Sequence, residues 1–287
     1  MRWLFVGAGN MAGSLIGGLL NGGTDTQHIA VVDPNEQAQK RASDAFGIHA
    51  TDTASTAIEL LRNGADGSNS QLVIVLAVKP HIVEPACKAL SAIVGADNTL
   101  HDNVVYVSVA AGVRLDNIQS WLPQGSALVR CMPNTPALLG LGITALYANT
   151  HCSQANKSSA QMLLDNAGKT LWVDNEESLD AVTAVSGSGP AYFFYLIEHM
   201  SAAGVQLGLT KETAEALAIE TAFGAASMAR ARAQSPAELR ENVTSKGGTT
   251  AAALDTFNAH DTPTIIKKAL QAAHDRAKEL GDEIGSR

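Results

Sequence analysis

The sequence has 287 residues, 46% of them hydrophobic and only 17% charged, so it can bury a sizeable core in two domains or one large one. Its net charge of −8 argues against a nucleic-acid surface, which needs a basic face, and no apolar run reaches the ~20 residues of a membrane helix. Cys87, Cys131 and Cys152 are isolated and the histidines are scattered, which points away from a metal site or a disulfide framework and toward free thiols in the cytoplasm.

The first half alternates short apolar runs with helical periodicity. WLFV reads as a strand entering the turn GAG, and MAGSLIGGLLNGG as a helix that ends at glycines. HIAVVDP is a second strand closed by Pro34, NEQAQKRASDAFG a helix ending at Gly47, and GIHAT a short third strand. TASTAIELLRNGA is helical and precedes an exposed loop, DGSNSQ, at 66–71. LVIVLAVKP is continuously apolar, as a strand buried on both faces should be. VVYVSVAAG, ALVRCMPNTP, ITALYA and TLWVD continue the series, which predicts an α/β fold with a parallel sheet covered by helices on both sides. After about Asp174 the strands stop. Helices are expected to start at Thr210, at the capping box of Ser235 and Glu238, and near Pro263. The expected domains are therefore 1–173, α/β, and 174–287, all-α.

GAGNMA, Gly7 to Ala12, matches G-x-G-x-x-A, follows a strand, opens a helix, and is followed about twenty residues later by Asp33 at the end of the next strand. That is a dinucleotide-binding arrangement: Gly7 makes the turn, Gly9 admits the pyrophosphate, and Ala12 lets helix and strand pack. A carboxylate at Asp33 can accept from a ribose diol and repels a 2′-phosphate, which by itself favours NADH. Asp33 can also serve only to cap the following helix. A second glycine turn, SKGGTTAAAL (245–254), leads into an alanine-rich helix whose first N–H groups can bind another anion.

Six stretches together resemble pyrroline-5-carboxylate reductase: GAGNMA, LAVKP (76–80), VSVAAG (107–112), RCMPNTP (130–136), SGSGPAY (186–192) and NVTSKGGTT (242–250). The resemblance implies a Rossmann domain followed by a helical dimerisation domain, in a homodimer that assembles into a larger homo-oligomer. It implies reduction of the cyclic imine 1-pyrroline-5-carboxylate to L-proline with NADPH or NADH. The cofactor contacts it implies are Gly7, Gly9, Asn10, Met11, Asp33, Ala77, Val78, Lys79, Pro80, Ala110, Ala111, Gly112 and Asn242. Substrate contacts are expected at Glu176, Ser245, Gly248, Thr249 and Thr250, with Thr250 and Ser245 the candidate catalytic residues and no metal. Lys246 departs from the proline that many family members carry there, and cofactor preference does not transfer.

The chemistry agrees with the absence of an obvious acid–base pair. A protonated imine is already electrophilic, and the amine product keeps its proton, so a hydroxyl such as that of Thr250 suffices near the ring nitrogen. Two other readings remain open on the residues alone. A β-hydroxyacid dehydrogenase needs a positioned base, and the helix after SGSGPAY has no lysine before Lys211. A redox sensor that merely holds NAD(H) has no use for a second anion site.

Overall fold

Alternation of apolar strands and amphipathic helices builds the first part of the chain. The computed structural model describes residues 1–63, 70–231 and 233–285, so positions 66–69 of the expected loop lie outside the described residues. β1 (Arg2–Val6) leads into α1 (Asn10–Asn21), then β2 (Ile29–Val32), α2 (Glu36–Phe46), β3 (His49–Thr51), α3 (Ala54–Asn63) and β4 (Leu72–Leu76). α4 (Pro80–Val94), a short α5 (Asn98–Asp102), β5 (Val104–Ser108), α6 (Leu115–Trp121) and β6 (Ala127–Met132) follow. Beyond a 3₁₀ turn at Thr135–Leu139 come β7 (Gly142–Ala148), α7 (Gln154–Asp165), β8 (Gly168–Trp172) and α8 (Ser178–Val182).

The eight strands form one sheet in the order β3-β2-β1-β4-β5-β6-β7-β8. Every neighbouring pair is parallel except β6 and β7. The sheet is thus mostly parallel, and β7 turns back against β6 because the 3₁₀ turn between them is too short for the crossover that parallel strands require. Side chains of β1 alternate between two cores. Trp3 and Phe5 join Leu15, Ile16 and Leu19 of α1, whereas Leu4 and Val6 join Ile58 of α3 and Leu90 of α4. All five residues of β1, of β4 and of β5 are buried, and the wholly apolar run of β4 is what a strand covered on both faces requires. Each such Leu, Ile or Val contributes roughly 1.5–3 kcal/mol by leaving water.

The chain divides into two compact units, one comprising Met1–Gly187 with the segment from His274 onward, the other Ser188–Ala273. The strands do end at Trp172, next to the expected 173/174 boundary. The first unit nevertheless continues through α8, because Leu179 is fully buried and Asp180 faces Arg130 of β6. A π-helical turn, Thr183–Gly187, closes it.

The second unit holds α9 (Gly189–Gln206), α10 (Lys211–Arg230), α11 (Pro236–Asn242), α12 (Thr249–Ala259) and the start of α13 (Thr262–Gly285). The expected helix starts are present: Thr210 caps α10 through the Thr213 amide, and Ser235 and Glu238 form a capping box on α11. A Cβ on Gly204 would stand 3.0 Å from the Ala214 Cβ, so small residues let α9 and α10 approach closely. Their outer faces are apolar: Phe193, Phe194, Tyr195, Phe223 and Met228 are each more than half exposed. A cavity of about 790 Å³ lies along α9 and α10, lined by Phe194, Ile197, Val205 and Ile219 among others. Helices this apolar on their solvent side require a further surface to pack against.

Candidate active site

Register brings the cofactor candidates of the first unit to one edge. Val6 pairs with Val32 and with Leu76, and Leu76 pairs with Ser108. The turns that follow these four residues, beginning at Gly7, Asp33, Ala77 and Val109, therefore emerge side by side at the carboxyl end of the sheet. The strand order reverses between β1 and β4, which is where open α/β sheets bind ligands.

At that crevice Gly7 has φ +100°, and a Cβ on it would stand 2.6 Å from the Ala77 carbonyl oxygen and 2.9 Å from Val78 Cγ1. Only glycine fits both the backbone angle and the approach of the β4 turn. Gly9 behaves differently: a Cβ there would meet nothing within 4 Å. Its role is to leave the mouth of α1 open. Gly9 is the N-cap of α1, no side chain caps that helix, and its first turn carries no acid. The leading amides, those of Asn10, Met11 and Ala12, are thus without a capping side chain and suit a diphosphate. Ala12 is fully buried, as close packing of helix on strand demands. A cavity of about 700 Å³ opens beside this turn, lined by Gly9, Asn10, Ser14, Arg41, Phe46 and Leu138 among others.

Asp33 does more than either sequence reading assigned to it. One oxygen accepts from the Ala8 amide at 2.9 Å and the other from the Asn35 amide at 2.9 Å. The carboxylate therefore ties the glycine turn to the start of α2, and Asn35, not Asp33, caps that helix through the Ala38 amide. Lys79 is the N-cap of α4 and Pro80 its first residue. Ala110 is buried, and Gly112 adopts φ +76° beyond the end of β5.

Glu176, expected to contact substrate, is held by a buried arginine and a helix-start amide. Its Oε1 accepts from Arg130 Nη1 at 2.8 Å and from the Leu115 amide at 2.8 Å, at the start of α6. Arg130 is 5% exposed and also faces Asp180 Oδ1 at 3.8 Å. Sequence reasoning missed this cluster, although an arginine in the apolar strand ALVRCM signals a buried partner.

The second anion candidate is a local structure of the second unit. Gly247 has φ +71° and Gly248 is the N-cap of α12, with no capping side chain and no acid in the first turn. The Gly248 amide donates to the Ser245 carbonyl at 3.0 Å, so it is already engaged, contrary to its expected part in the anion nest. The amides of Thr249, Thr250 and Ala251 are the ones that head the helix. A Cβ on Gly248 would collide with Ser245 Oγ, so that hydroxyl lies over the helix mouth. Asn242 ends α11, and its Nδ2 donates to Gln234 Oε1 at 3.1 Å.

The cysteines stand outside the chemistry. Burial pushes the Cys87 thiol up to about 12 and Cys152 up to about 11, and raises Cys131 as well. None forms a thiolate near neutrality.

Residues 176–280 match the family model described as pyrroline-5-carboxylate reductase dimerisation, and residues 3–112 match one described as NADP oxidoreductase, coenzyme F420-dependent. Pyrroline-5-carboxylate reductase of Pseudomonas aeruginosa is 43% identical, with 99% of this chain and 98% of that protein covered. The chain belongs to the pyrroline-5-carboxylate reductases. The enzyme of that description from Vibrio alginolyticus is 41% identical over 96% of both chains. The solved structure of a pyrroline-5-carboxylate reductase from Coxiella burnetii is 38% identical, with a TM-score of 0.85 over 97% of this chain and 98% of that one. This reductase is an oxidoreductase of proline biosynthesis that adds hydride from NAD(P)H to the C=N carbon of 1-pyrroline-5-carboxylate. Its C-terminal part is a dimerisation domain, which explains the apolar faces of α9 and α10. Among the described residues, no helix is long and apolar enough to cross a membrane.

Proposed function

We propose that the reductase divides its work between two helix mouths, α1 for the dinucleotide diphosphate and α12 for the substrate carboxylate. The observation that carries this is shared by both: a glycine N-cap, no capping side chain, and no acid in the first turn. Each hydrogen bond from Thr249, Thr250 or the Ser245 hydroxyl to a carboxylate contributes roughly 1.5–3 kcal/mol. Two or three of them fix the ring and present one face of the imine. When bound, NAD(P)H supplies the hydride. Thr250 and Ser245 hold hydroxyls at the α12 mouth, and we assign to Thr250 the relay of a proton from solvent water to the ring nitrogen, a step that leaves its own hydroxyl intact. Gly7, Gly9, Asn10, Met11, Ala77 to Pro80, Ala110 to Gly112 and Asn242 contact the cofactor in this reading. The Asp33 carboxylate disfavours a 2′-phosphate, so NADH is the better cofactor. The enzyme works in the cytoplasm, as a homodimer within a larger homo-oligomer.

Oxidation of NADH or NADPH followed at 340 nm with 1-pyrroline-5-carboxylate tests these assignments. Thr250→Ala should lower kcat roughly 10²-fold, the scale of a lost proton-transfer group, with Thr250→Ser retaining most turnover. Near-normal kcat in Thr250→Ala removes it from the mechanism, and a strong NADPH preference removes the argument from Asp33.

A further inference from the structure

A glycine within a helix weakens it relative to alanine, so a buried one needs a reason. Gly281 is buried in the last turns of α13. It shares one face with Ala277, Leu280 and Ile284, at spacings of three and four. Ala277 is buried, and Ile284 packs against the core beneath β4 and β5. A Cβ on Gly281 would stand 3.1 Å from Arg114 Nε and 3.3 Å from the Gly112 carbonyl oxygen. From the opposite side, a Cβ on Gly112 would stand 3.6 Å from Leu280 Cβ and Ile284 Cδ1, and 3.7 Å from the Gly281 nitrogen. Arg114 Nη2 donates to Asp282 Oδ1 at 2.9 Å across the same contact.

Two glycines thus bring the end of α13 against the turn that follows β5. The sheet ladder itself stops at Val109, whose amide donates to the Leu76 carbonyl at 3.2 Å, and Ala110 adds only a long bond to Ser108 Oγ at 3.4 Å. Leu280 and Ile284 also line, with Pro80 and Trp121, a cavity of about 580 Å³ beside the start of α4. The last turns of α13 therefore abut two of the turns at the sheet's carboxyl edge.

We propose that Gly281 is a positioning residue for the cofactor: by admitting the Gly112 carbonyl, it lets the end of α13 brace the Ala110–Gly112 turn. The proposal rests on the reading of that turn as a cofactor contact. The test compares Gly281→Ala, Gly281→Val and Gly112→Ala in the full-length enzyme, by steady-state kinetics, titration of NADH or NADPH fluorescence, and melting temperature. Gly281→Val should raise the cofactor Kd and KM about tenfold while the KM for 1-pyrroline-5-carboxylate stays within about twofold. Gly281→Ala, whose Cβ asks its neighbours to yield only slightly, should raise them about threefold. If Gly281→Val does not fold, the alanine variant decides. Unchanged cofactor affinity in the Gly281 variants, with affinity lost in Gly112→Ala, overturns the brace and leaves the turn as a cofactor contact. Unchanged affinity in Gly112→Ala overturns that contact and the brace with it. An equal rise in both KM values makes Gly281 a general packing residue and also overturns the proposal.

Discussion

Replacing Glu176 with alanine separates two roles for one carboxylate. The Arg130 side chain is 6% exposed and that of Glu176 18%, so the pair is only weakly screened by solvent. Removing one partner of a buried ion pair costs about 3–5 kcal/mol, and the Leu115 amide loses its acceptor for about 1 kcal/mol more. Asp180 remains 3.8 Å from Arg130 and offsets part of this, which leaves about 3 kcal/mol. For a unit of this size, 1 kcal/mol corresponds to roughly 2–4 °C, so melting should fall by roughly 6–12 °C. The assay is thermal unfolding by circular dichroism, beside steady-state kinetics with both substrates varied. A double-mutant cycle with Arg130→Leu should give a coupling above about 1 kcal/mol. A melting temperature within about 2 °C of the parent, with a raised KM for 1-pyrroline-5-carboxylate, refutes the structural role and returns Glu176 to the substrate.

Gly7→Ala forces φ +100° on an L-residue and drives its Cβ toward the Ala77 carbonyl, so cofactor affinity should fall by at least about tenfold; fluorescence titration of NADH or NADPH measures it. Cys152, raised from 9.0 to about 11, carries roughly 100-fold less thiolate at pH 8 than an exposed thiol, so a disulfide reagent should label the native enzyme slowly and the denatured enzyme quickly. Because the thiol pKa is raised, reactivity should keep rising above pH 9, where an ordinary cysteine levels off; a plateau below pH 9 contradicts the burial argument.

The local features of this protein were legible in its residues. Gly7, Gly9 and Ala12 announce a tight turn, an open helix mouth and a close packing contact, because their spacing between a strand and a helix is a local pattern, although the Ala77 carbonyl that also demands Gly7 comes from far along the chain. Thr210, Ser235 with Glu238, and Gly47 mark helix ends for the same reason. The β4 strand was plain from its unbroken apolar run, and the family resemblance supplied the reaction. Tertiary structure alone decided where polar groups find partners across long stretches of chain. Asp33 binds Ala8, Glu176 binds Arg130 and Leu115, and Gly281 receives Gly112. It also decided that β7 runs against β6, and that the chain from His274 returns to the first unit. The physical reason is one of range: a turn or a cap is an energy minimum of a few neighbouring residues, whereas a buried carboxylate or a helix glycine makes sense only once distant segments have excluded the water between them.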